Sequence, residues 1–243
     1  YICGLFETWL NMYKIKITPE EIEQLEMTWF PGQIQVIDEV NKDYYKAISY
    51  LKRQKIIGFD TETRPSFGPD QPHYGTSLLQ LSGATKAFLF RIKKTGIPKD
   101  LRSVLASARI IKVGAAVSDD IRGLKRNAGF NPKAFVDLQQ MVWEYGIKDK
   151  SVKKMSAIIL GIRISKTQQL SNWEADTLSE AQQRYAATDA WVCREMYLKL
   201  LKSEKNPLTP EQMLPNPPHS SQHKELEFPD PSIVPENFNP AKA

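Results

Sequence analysis

Residues 55–63 read KIIGFDTET, a short apolar run that ends in two acidic residues. Its β-branched and aromatic residues are typical of a strand that enters a hydrophobic core. Side chains alternate across a strand, so Asp60 and Glu62 point to the same face, about 7 Å apart. Two carboxylates at that separation repel each other unless a cation lies between them. The stretch predicts either an acidic strand end that faces solvent or one part of a divalent-metal site.

A second acidic pair lies in KVGAAVSDDIRGLKR, residues 112–126. A short strand ends here, Gly114 permits a close backbone approach, and a helix begins near Ser118. Asp119 and Asp120 would occupy the first turn of that helix. Acidic residues in this position stabilise a helix through its dipole, so the pair has a purely structural explanation as well as a functional one.

The third acidic position lies in RYAATDAW, residues 184–191, which reads as an amphipathic helix. Tyr185 and Asp189 are four residues apart and share one face, which should point toward the sheet. A buried carboxylate is unfavourable unless it pairs with another group or binds a metal. Asp189 therefore either bonds to a neighbouring backbone group or a lysine, or it faces Asp60 and Glu62.

The remaining pattern between residues 33 and 202 alternates between strands and helices. Strands are predicted in QIQVI, KIIGFDTET, TSLLQLSG, KAFLFRI, IIKVG and AFVDL, with a hairpin turn at SGAT. Helices are predicted at about 41–54, 98–108, 117–128, 138–145, 151–160 and 179–202, the last with a capping box formed by Ser179 and Gln182. This order predicts an α/β domain with a mixed sheet.

In this order along the chain, FDTE, VGAAVSDD and YAATD resemble the DEDD superfamily of 3′–5′ exonucleases. The stretches SLLQLSG, KVG, SNWE and LSEAQQRYAATDA are similar to the branch that contains RNase D and the nuclease domain of the Werner-syndrome helicase. A sister branch has His five residues before the last Asp, where this chain has Arg184, so the resemblance is to the Tyr-type branch. It implies an RNase H-like mixed β-sheet flanked by helices, and hydrolysis of nucleic acid from 3′ ends into nucleoside 5′-monophosphates.

The resemblance also implies roles for single residues. The catalytic set it implies is Asp60, Glu62, Asp120, Tyr185 and Asp189. Asp120 is preferred to Asp119 for its spacing from KVG, although the choice stays open. The four acids would hold two Mg²⁺ or Mn²⁺ ions, with Asp60 bridging both, Glu62 and Asp189 on the first, and Asp120 on the second. Tyr185 would orient the attacking water, because a free phenol titrates near ~10 and is a poor base.

Substrate-binding residues are less clearly marked. The backbone of Thr61 is expected to meet the terminal nucleotide, while Arg122 and Lys125 are expected to follow the phosphates. For each of these basic residues alone, a solvated helix face is the simpler explanation. In the loop of residues 63–77, the candidates for stacking on bases are Phe67, His73 and Tyr74. Trp173 in SNWE is predicted to be a packing residue.

Composition places limits on partners and compartment. The 243 residues carry a net charge of +5, with +8 on the first 205 residues and −3 on the rest, which favours an anionic partner such as nucleic acid with a free 3′ end, DNA or RNA. Two cysteines form no disulfide framework and no zinc pattern, so the cytoplasm is expected, or the nucleus in a eukaryote. No apolar run of about 18 residues suggests a membrane span.

Three regions are predicted: an N-terminal extension over 1–32, whose first 17 residues are given no structural role, an exonuclease domain over 33–205, and a tail over 206–243. The tail contains nine of the 16 prolines. It is expected to lack regular helix or sheet, and to lie on the surface or to dock a protein partner.

Three functions compete. A 3′–5′ exonuclease is favoured over a catalytically silent nucleic-acid-binding scaffold, because a silent scaffold has no need for a repulsive cluster of acids. An RNase D-like trimming of RNA 3′ ends is the third. DNA is slightly favoured over RNA, since the proline-rich tail stands where RNase D has a helical RNA-binding segment.

Overall fold

The computed structural model of the chain describes residues 12–66 and 74–214. The strands are β1 Gln33–Ile37, β2 Ile56–Thr63, β3 Thr76–Ser82, β4 Lys86–Arg91, β5 Ile111–Gly114 and β6 Phe135–Asp137. The helices are α1 Pro19–Glu23, α2 Lys42–Lys52, α3 Ile92–Thr95, α4 Lys99–Leu105, α5 Val117–Asn127, α6 Leu138–Met141, α7 Val152–Leu160, α8 Glu180–Leu200 and α9 Pro210–Met213, with a 3₁₀ turn at Val142–Tyr145.

The six strands form one sheet in the order β1-β4-β3-β2-β5-β6. Strand β3 is antiparallel to both of its neighbours, and the other three pairs are parallel. The predicted hairpin between β3 and β4 is present, closed by a 2.9 Å bond from the Gly83 amide to the Lys86 carbonyl. The predicted α/β fold with a mixed RNase H-like sheet is confirmed.

Alternation along β2 sends neighbouring side chains to opposite faces of the sheet. Phe59 lies in the core beneath α2, α4 and α5. Gly58, Asp60 and Glu62 face the other way, toward the long helix α8. On that side, α7 and α8 pack over β5 in a second core that contains Met196 and Leu200, as their helical spacing predicts.

Helix α8 crosses β2 at a point where neither element has a large side chain. A Cβ atom placed on Gly58 would lie 1.7 Å from the carbonyl oxygen of Ala190. Ala186, Ala187 and Ala190 are fully buried along this part of α8. The two backbones are therefore almost in contact, and Asp189, one residue before Ala190, comes to lie beside the C-terminal half of β2.

The chain before residue 33 packs on the domain, although the sequence assigned its first 17 residues no structural role. Ile17 and Ile22 are buried against Ala157 of α7, and the Phe30 amide donates a 3.0 Å bond to the Thr188 hydroxyl. Helix α1 begins with a capping box formed by Thr18 and Glu21. Residues 1–11 lie outside the described residues.

The expectation that residues 206–243 contain no regular helix is wrong for four of them. Helix α9 begins with Pro210 at its first turn and has a capping box from Thr209 and Gln212. Proline is well tolerated there because the amide it lacks would have no partner inside the helix. Residues 215–243 lie outside the described residues. Across residues 12–66 and 74–214, no helix has the length and apolar character needed to cross a membrane.

The first prediction concerns the contact between α8 and β2. Gly58→Ala should lower the free energy of unfolding by about 1–3 kcal/mol or more, because the added methyl group overlaps the Ala190 carbonyl and pushes the helix off the strand. Urea denaturation followed by circular dichroism measures this. Gly129→Ala is the matched control, since nothing lies within 4 Å of its new methyl group. Equal stability of the two variants would contradict the close approach.

Candidate active site

Three carboxylates converge where α8 meets the end of β2. Asp60 and Glu62 reach the site from β2, and Asp189 reaches it from α8. One oxygen atom from each of the three lies within 4.8 Å of the others. The two strand residues are half-buried, and Asp189 is 3% exposed. The structure thus brings together residues that are up to 129 positions apart along the chain, as the sequence predicts.

The fourth predicted acid, Asp120, lies beside this group without joining it. Its Oδ1 atom accepts a 2.6 Å hydrogen bond from the Thr61 hydroxyl. Asp119 points away into solvent, where its side chain is 79% exposed and pairs with Arg122. Of the two adjacent acids, only Asp120 faces β2.

A sharp turn between β5 and α5 gives Asp120 this position. Ala116, just before the helix, has a φ of 58°, in the left-handed region that is uncommon for residues other than glycine. Its amide is held by a 3.0 Å bond to the Asp137 carboxylate at the end of β6. Gly114 has no room for a side chain, because a Cβ would lie 2.7 Å from the Phe59 carbonyl. The predicted close approach at this glycine is therefore present.

Lys166 supplies a positive charge inside the acidic group. Its Nζ lies 2.8 Å from Oδ2 of Asp189 and 3.5 Å from the hydroxyl of Tyr185. It also lies 5.3 Å from the centre of the Tyr185 ring. Lys166 belongs to the segment between α7 and α8. Its ammonium group therefore contacts both Tyr185 and Asp189, which the sequence places on one face of α8.

Tyr185 also contacts a second residue of the same segment. Trp173 is fully buried, as predicted for a packing residue, and its ring centre lies 5.9 Å from that of Tyr185. The segment is anchored to β4 by Arg91, which donates to the carbonyls of Ala175 and Asp176. These contacts leave Tyr185 only 2% exposed.

Burial and mutual repulsion raise the pKa values of the carboxyl groups. Burial, followed by the charges of Asp189 and Asp120, raises the pKa of Asp60 well above its ordinary value. Burial and the neighbouring Asp60 raise the pKa of Glu62 to about 10. The pKa of Asp189 is raised by burial, against the opposing effect of Lys166, and burial raises that of Asp120 to about 6.

The pKa of the Tyr185 phenol is also raised, first by burial and then by the charge of Asp189. The phenol is therefore protonated at neutral pH and can donate a hydrogen bond. For Lys166, burial lowers the pKa, whereas the nearby charges of Asp189 and Asp60 raise it. Together the two acids outweigh burial, so the pKa of Lys166 is raised overall. The lysine stays charged.

The donor atoms fit a hard divalent cation. All three converging groups offer carboxylate oxygens, the ligands that Mg²⁺ and Mn²⁺ prefer. Oδ1 of Asp189 is buried and has no hydrogen-bond partner among the described residues. A buried oxygen of this kind is costly unless something binds to it. A cation beside Asp60 and Glu62 would both satisfy that atom and remove the repulsion within the group.

Those predicted substrate-binding residues that the structure describes lie outside the group of converging carboxylates, and some of them are exposed. Thr61 is half-buried and its hydroxyl is bonded to Asp120. Arg122 and Lys125 lie on the exposed side of α5. Tyr74 has the guanidinium of Arg64 4.6 Å from its ring centre, so one face of this stacking candidate is covered. Phe67 and His73 lie outside the described residues.

Sequence reasoning missed Lys166. The residue lies in SKTQQLSNWE, a polar stretch with no helical or strand periodicity to place it near the acids. The only indirect signal was the requirement that a buried Asp189 should have a partner, for which a lysine was one of the stated options. Nothing in the spacing identified which lysine.

Comparison with known proteins assigns a family. A family model described as 3′–5′ exonuclease matches residues 36–204. The match covers β2, α5 and α8, and with them all four predicted acids.

Relatives of the chain are similar over most of its length. It is 30% identical over 205 residues to Exonuclease 3′-5′ domain-containing protein 2 of Drosophila melanogaster, which covers 83% of this chain and 33% of that protein. It is 25% identical to the bifunctional 3′-5′ exonuclease/ATP-dependent helicase WRN of Mus musculus, over 80% of this chain and 15% of that protein. The chain therefore spans a third or less of the length of these curated relatives.

Among solved structures, Escherichia coli RNase D, described as an exoribonuclease involved in structured RNA processing, superposes with a TM-score of 0.63 at 22% identity. The superposition covers 70% of this chain and 44% of RNase D. At that identity the likeness shows a shared fold.

The second prediction follows from the raised pKa values. The folded protein keeps protons on these carboxyl groups that the unfolded chain, with ordinary values near ~4, releases. Without divalent ions, stability should therefore decrease as the pH rises from about 5 to about 9. Melting temperatures in a chelating buffer measure this trend. Added Mn²⁺ should raise the melting temperature most at high pH, where ions replace the lost protons. A slope that is the same in Asp60→Asn would contradict the assignment to this group.

Proposed function

The chain belongs to the 3′–5′ exonuclease family, and from that premise we propose that it hydrolyses nucleic acid from free 3′ ends with the help of two divalent metal ions, Mg²⁺ or Mn²⁺. Each cycle adds water to the terminal phosphodiester, breaks its bond to the 3′ oxygen of the preceding nucleotide, and releases a nucleoside 5′-monophosphate. The shortened strand keeps a 3′ hydroxyl group.

One observation carries the proposal: three carboxylates from two distant elements come within 4.8 Å of one another. Such an arrangement is unfavourable for stability, because the charges repel one another and are partly removed from water. A bound divalent cation would neutralise these charges, so the convergence of the three carboxylates is explained if the site binds one. The catalytically silent scaffold is disfavoured for the same reason.

The acids have different parts in this proposal. Asp60, Glu62 and Asp189 would hold the ions at the end of β2, with Asp120 completing the set from α5. Bound divalent ions acidify a water molecule and stabilise the departing oxygen in phosphodiester hydrolysis. The proteins that carry such sites supply rigid ligands, and here rigidity comes from the packing of α8 on β2.

Tyr185 is proposed to orient the attacking water. Its phenol stays protonated, so it serves as a hydrogen-bond donor and not as a base. The ring contacts Trp173 and Lys166, and its hydroxyl lies 3.5 Å from Nζ of Lys166, which also bonds to Asp189. A fixed hydroxyl group beside a metal ligand is suited to holding a water molecule in one orientation.

The substrate end is proposed to lie along Thr61 and α5. The Thr61 backbone, between Asp60 and Glu62, would contact the terminal nucleotide, and Arg122 and Lys125 would follow the phosphates. DNA is proposed as slightly favoured, with RNA as the alternative that the E. coli neighbour represents. Both share the phosphate and the 3′ oxygen, and they differ at the 2′ position.

The proposal also covers the cellular compartment and a protein partner. Cys193 is buried and free, which suits a reducing compartment such as the cytoplasm, or the nucleus in a eukaryote. A docking role toward a protein partner is proposed for the proline-rich residues 206–243.

The third prediction tests the acids. Asp60→Asn should reduce Mn²⁺-dependent shortening of a 5′-labelled oligonucleotide by roughly 10²–10³-fold or more, because it removes a central charge from the site. The metal-free variant should melt at a higher temperature than the parent at neutral pH, since the amide replaces a half-buried carboxyl group whose ionised form the fold disfavours. Asp119→Asn is the matched control and should keep near-parental activity. Loss of activity in both variants, or in neither, would remove the proposed site.

The fourth prediction concerns the substrate. Matched single-stranded DNA, recessed duplex DNA and single-stranded RNA oligonucleotides are digested side by side and resolved by gel electrophoresis. We expect shortening from the 3′ end of both DNA and RNA, with a higher rate on DNA, and loss of all activities in Asp60→Asn. Faster digestion of RNA would favour the trimming alternative, and no shortening of any substrate by the parent would reject the exonuclease proposal.

A further inference from the structure

Lys166 contacts both functional residues of α8 with a single ammonium group. The distances are 2.8 Å to Asp189 Oδ2 and 3.5 Å to the Tyr185 hydroxyl. The side chain is 29% exposed, whereas Asp189 is 3% exposed. A lysine this well covered is uncommon unless it has a specific partner. Here the partner is a predicted metal ligand.

The contact divides the two oxygens of Asp189 between different neighbours. Oδ2 is held by Lys166, and Oδ1 is buried without a hydrogen-bond partner in the described part of the chain. The carboxylate plane can otherwise rotate about its last side-chain bond. A bond to Oδ2 removes this freedom, so Oδ1 stays available to a cation beside Asp60 and Glu62.

We propose that Lys166 is a positioning residue of the exonuclease site, which holds the Asp189 carboxylate and the Tyr185 hydroxyl in the orientation that metal binding and hydrolysis require. The inference rests on the proposed function. Lys166 acts through these two residues, as partners of metal ligands commonly do.

An opposite role for the same contact predicts the opposite result. If Lys166 were a competitor that fills the place of a cation, its removal would strengthen metal binding. If it positions Asp189, its removal weakens metal binding. The sign of the change in Mn²⁺ affinity therefore separates the two roles without any measurement of activity.

The experiment uses the full chain and three variants. Free Mn²⁺ is measured by electron paramagnetic resonance during titration of the parent, Lys166→Met, Lys166→Arg and Lys154→Met. Lys154 is the matched control, because it forms a similar bond to Asp149, 2.9 Å long, at an unrelated place. Circular dichroism verifies that each variant is folded, and hydrolysis of a short oligonucleotide gives kcat and KM.

We expect Lys166→Met to weaken Mn²⁺ binding by roughly 10–100-fold, as for other partners of metal ligands. Lys166→Arg should lie between Met and the parent, because it keeps the charge but alters the geometry, and Lys154→Met should match the parent. In hydrolysis, kcat should fall more than KM rises, because Tyr185 loses its fixed position. If Lys166→Met does not fold, the Arg variant carries the test through a smaller loss of affinity.

Stronger or unchanged Mn²⁺ binding in the folded Lys166 variants would overturn the proposal. An equal loss in Lys154→Met would also overturn it, since the effect would then be one of general stability. If the parent binds Mn²⁺ but shortens no oligonucleotide, the proposed function fails while the affinities still decide the role of Lys166. A parent that binds no Mn²⁺ would reject both.

Discussion

The near-contact between Gly58 of β2 and Ala190 of α8 is the constraint on which the site depends. A side chain at position 58 would overlap the helix backbone, at 1.7 Å from the Ala190 carbonyl oxygen. Only with glycine here and alanines along α8 can the helix lie this close to the sheet. Asp189 then comes level with Asp60 and Glu62, which follow Gly58 on the same face of the strand. The position of the third carboxylate is thus a consequence of steric fit and not of any attraction between acids.

The electrostatics of the site oppose folding. Burial raises the pKa values of Asp60, Glu62 and Asp189, and repulsion by neighbouring acids raises those of Asp60 and Glu62 further, which means that the metal-free fold disfavours their ionised forms. Apolar packing of α8 against the sheet supplies the stability that offsets this repulsion. Lys166 relieves this repulsion in part: its charge lowers the pKa of all three acids, but it forms a hydrogen bond only with Asp189. Local rules of stability are commonly broken at functional sites. Here the unfavourable charges lie on one turn of α8, at the end of β2 and, at Asp120, in the first turn of α5.

Much of this arrangement was predictable from sequence because it follows short-range periodicity. Alternation in KIIGFDTET put Asp60 and Glu62 on one face, and four-residue spacing put Tyr185 and Asp189 on one side of a helix. The six strands and their hairpin follow from the same reasoning. The position of Lys166 was not predictable, because the path of an irregular segment is set by tertiary contacts, such as those of Arg91 with the carbonyls of Ala175 and Asp176. The packing of Ile17 and Ile22 was not predicted either, because the five-residue helix α1 is too short to show a recognisable periodicity.

Sequence spacing alone could not decide between the two adjacent acids of α5, and the structure does. Asp119 and Asp120 have the same chemistry, and both suit the first turn of a helix. Successive residues of a helix point about 100° apart, so only one of the two can face the neighbouring strand. The left-handed turn at Ala116, held by Asp137, sets the rotation of α5, and the Thr61 hydroxyl meets Asp120 at 2.6 Å. Asp119 is left in solvent with Arg122. Because Thr61 lies between Asp60 and Glu62, this hydrogen bond connects the fourth acid to the strand that carries the first two, and a change in the Ala116 turn would be transmitted to the site through Asp120.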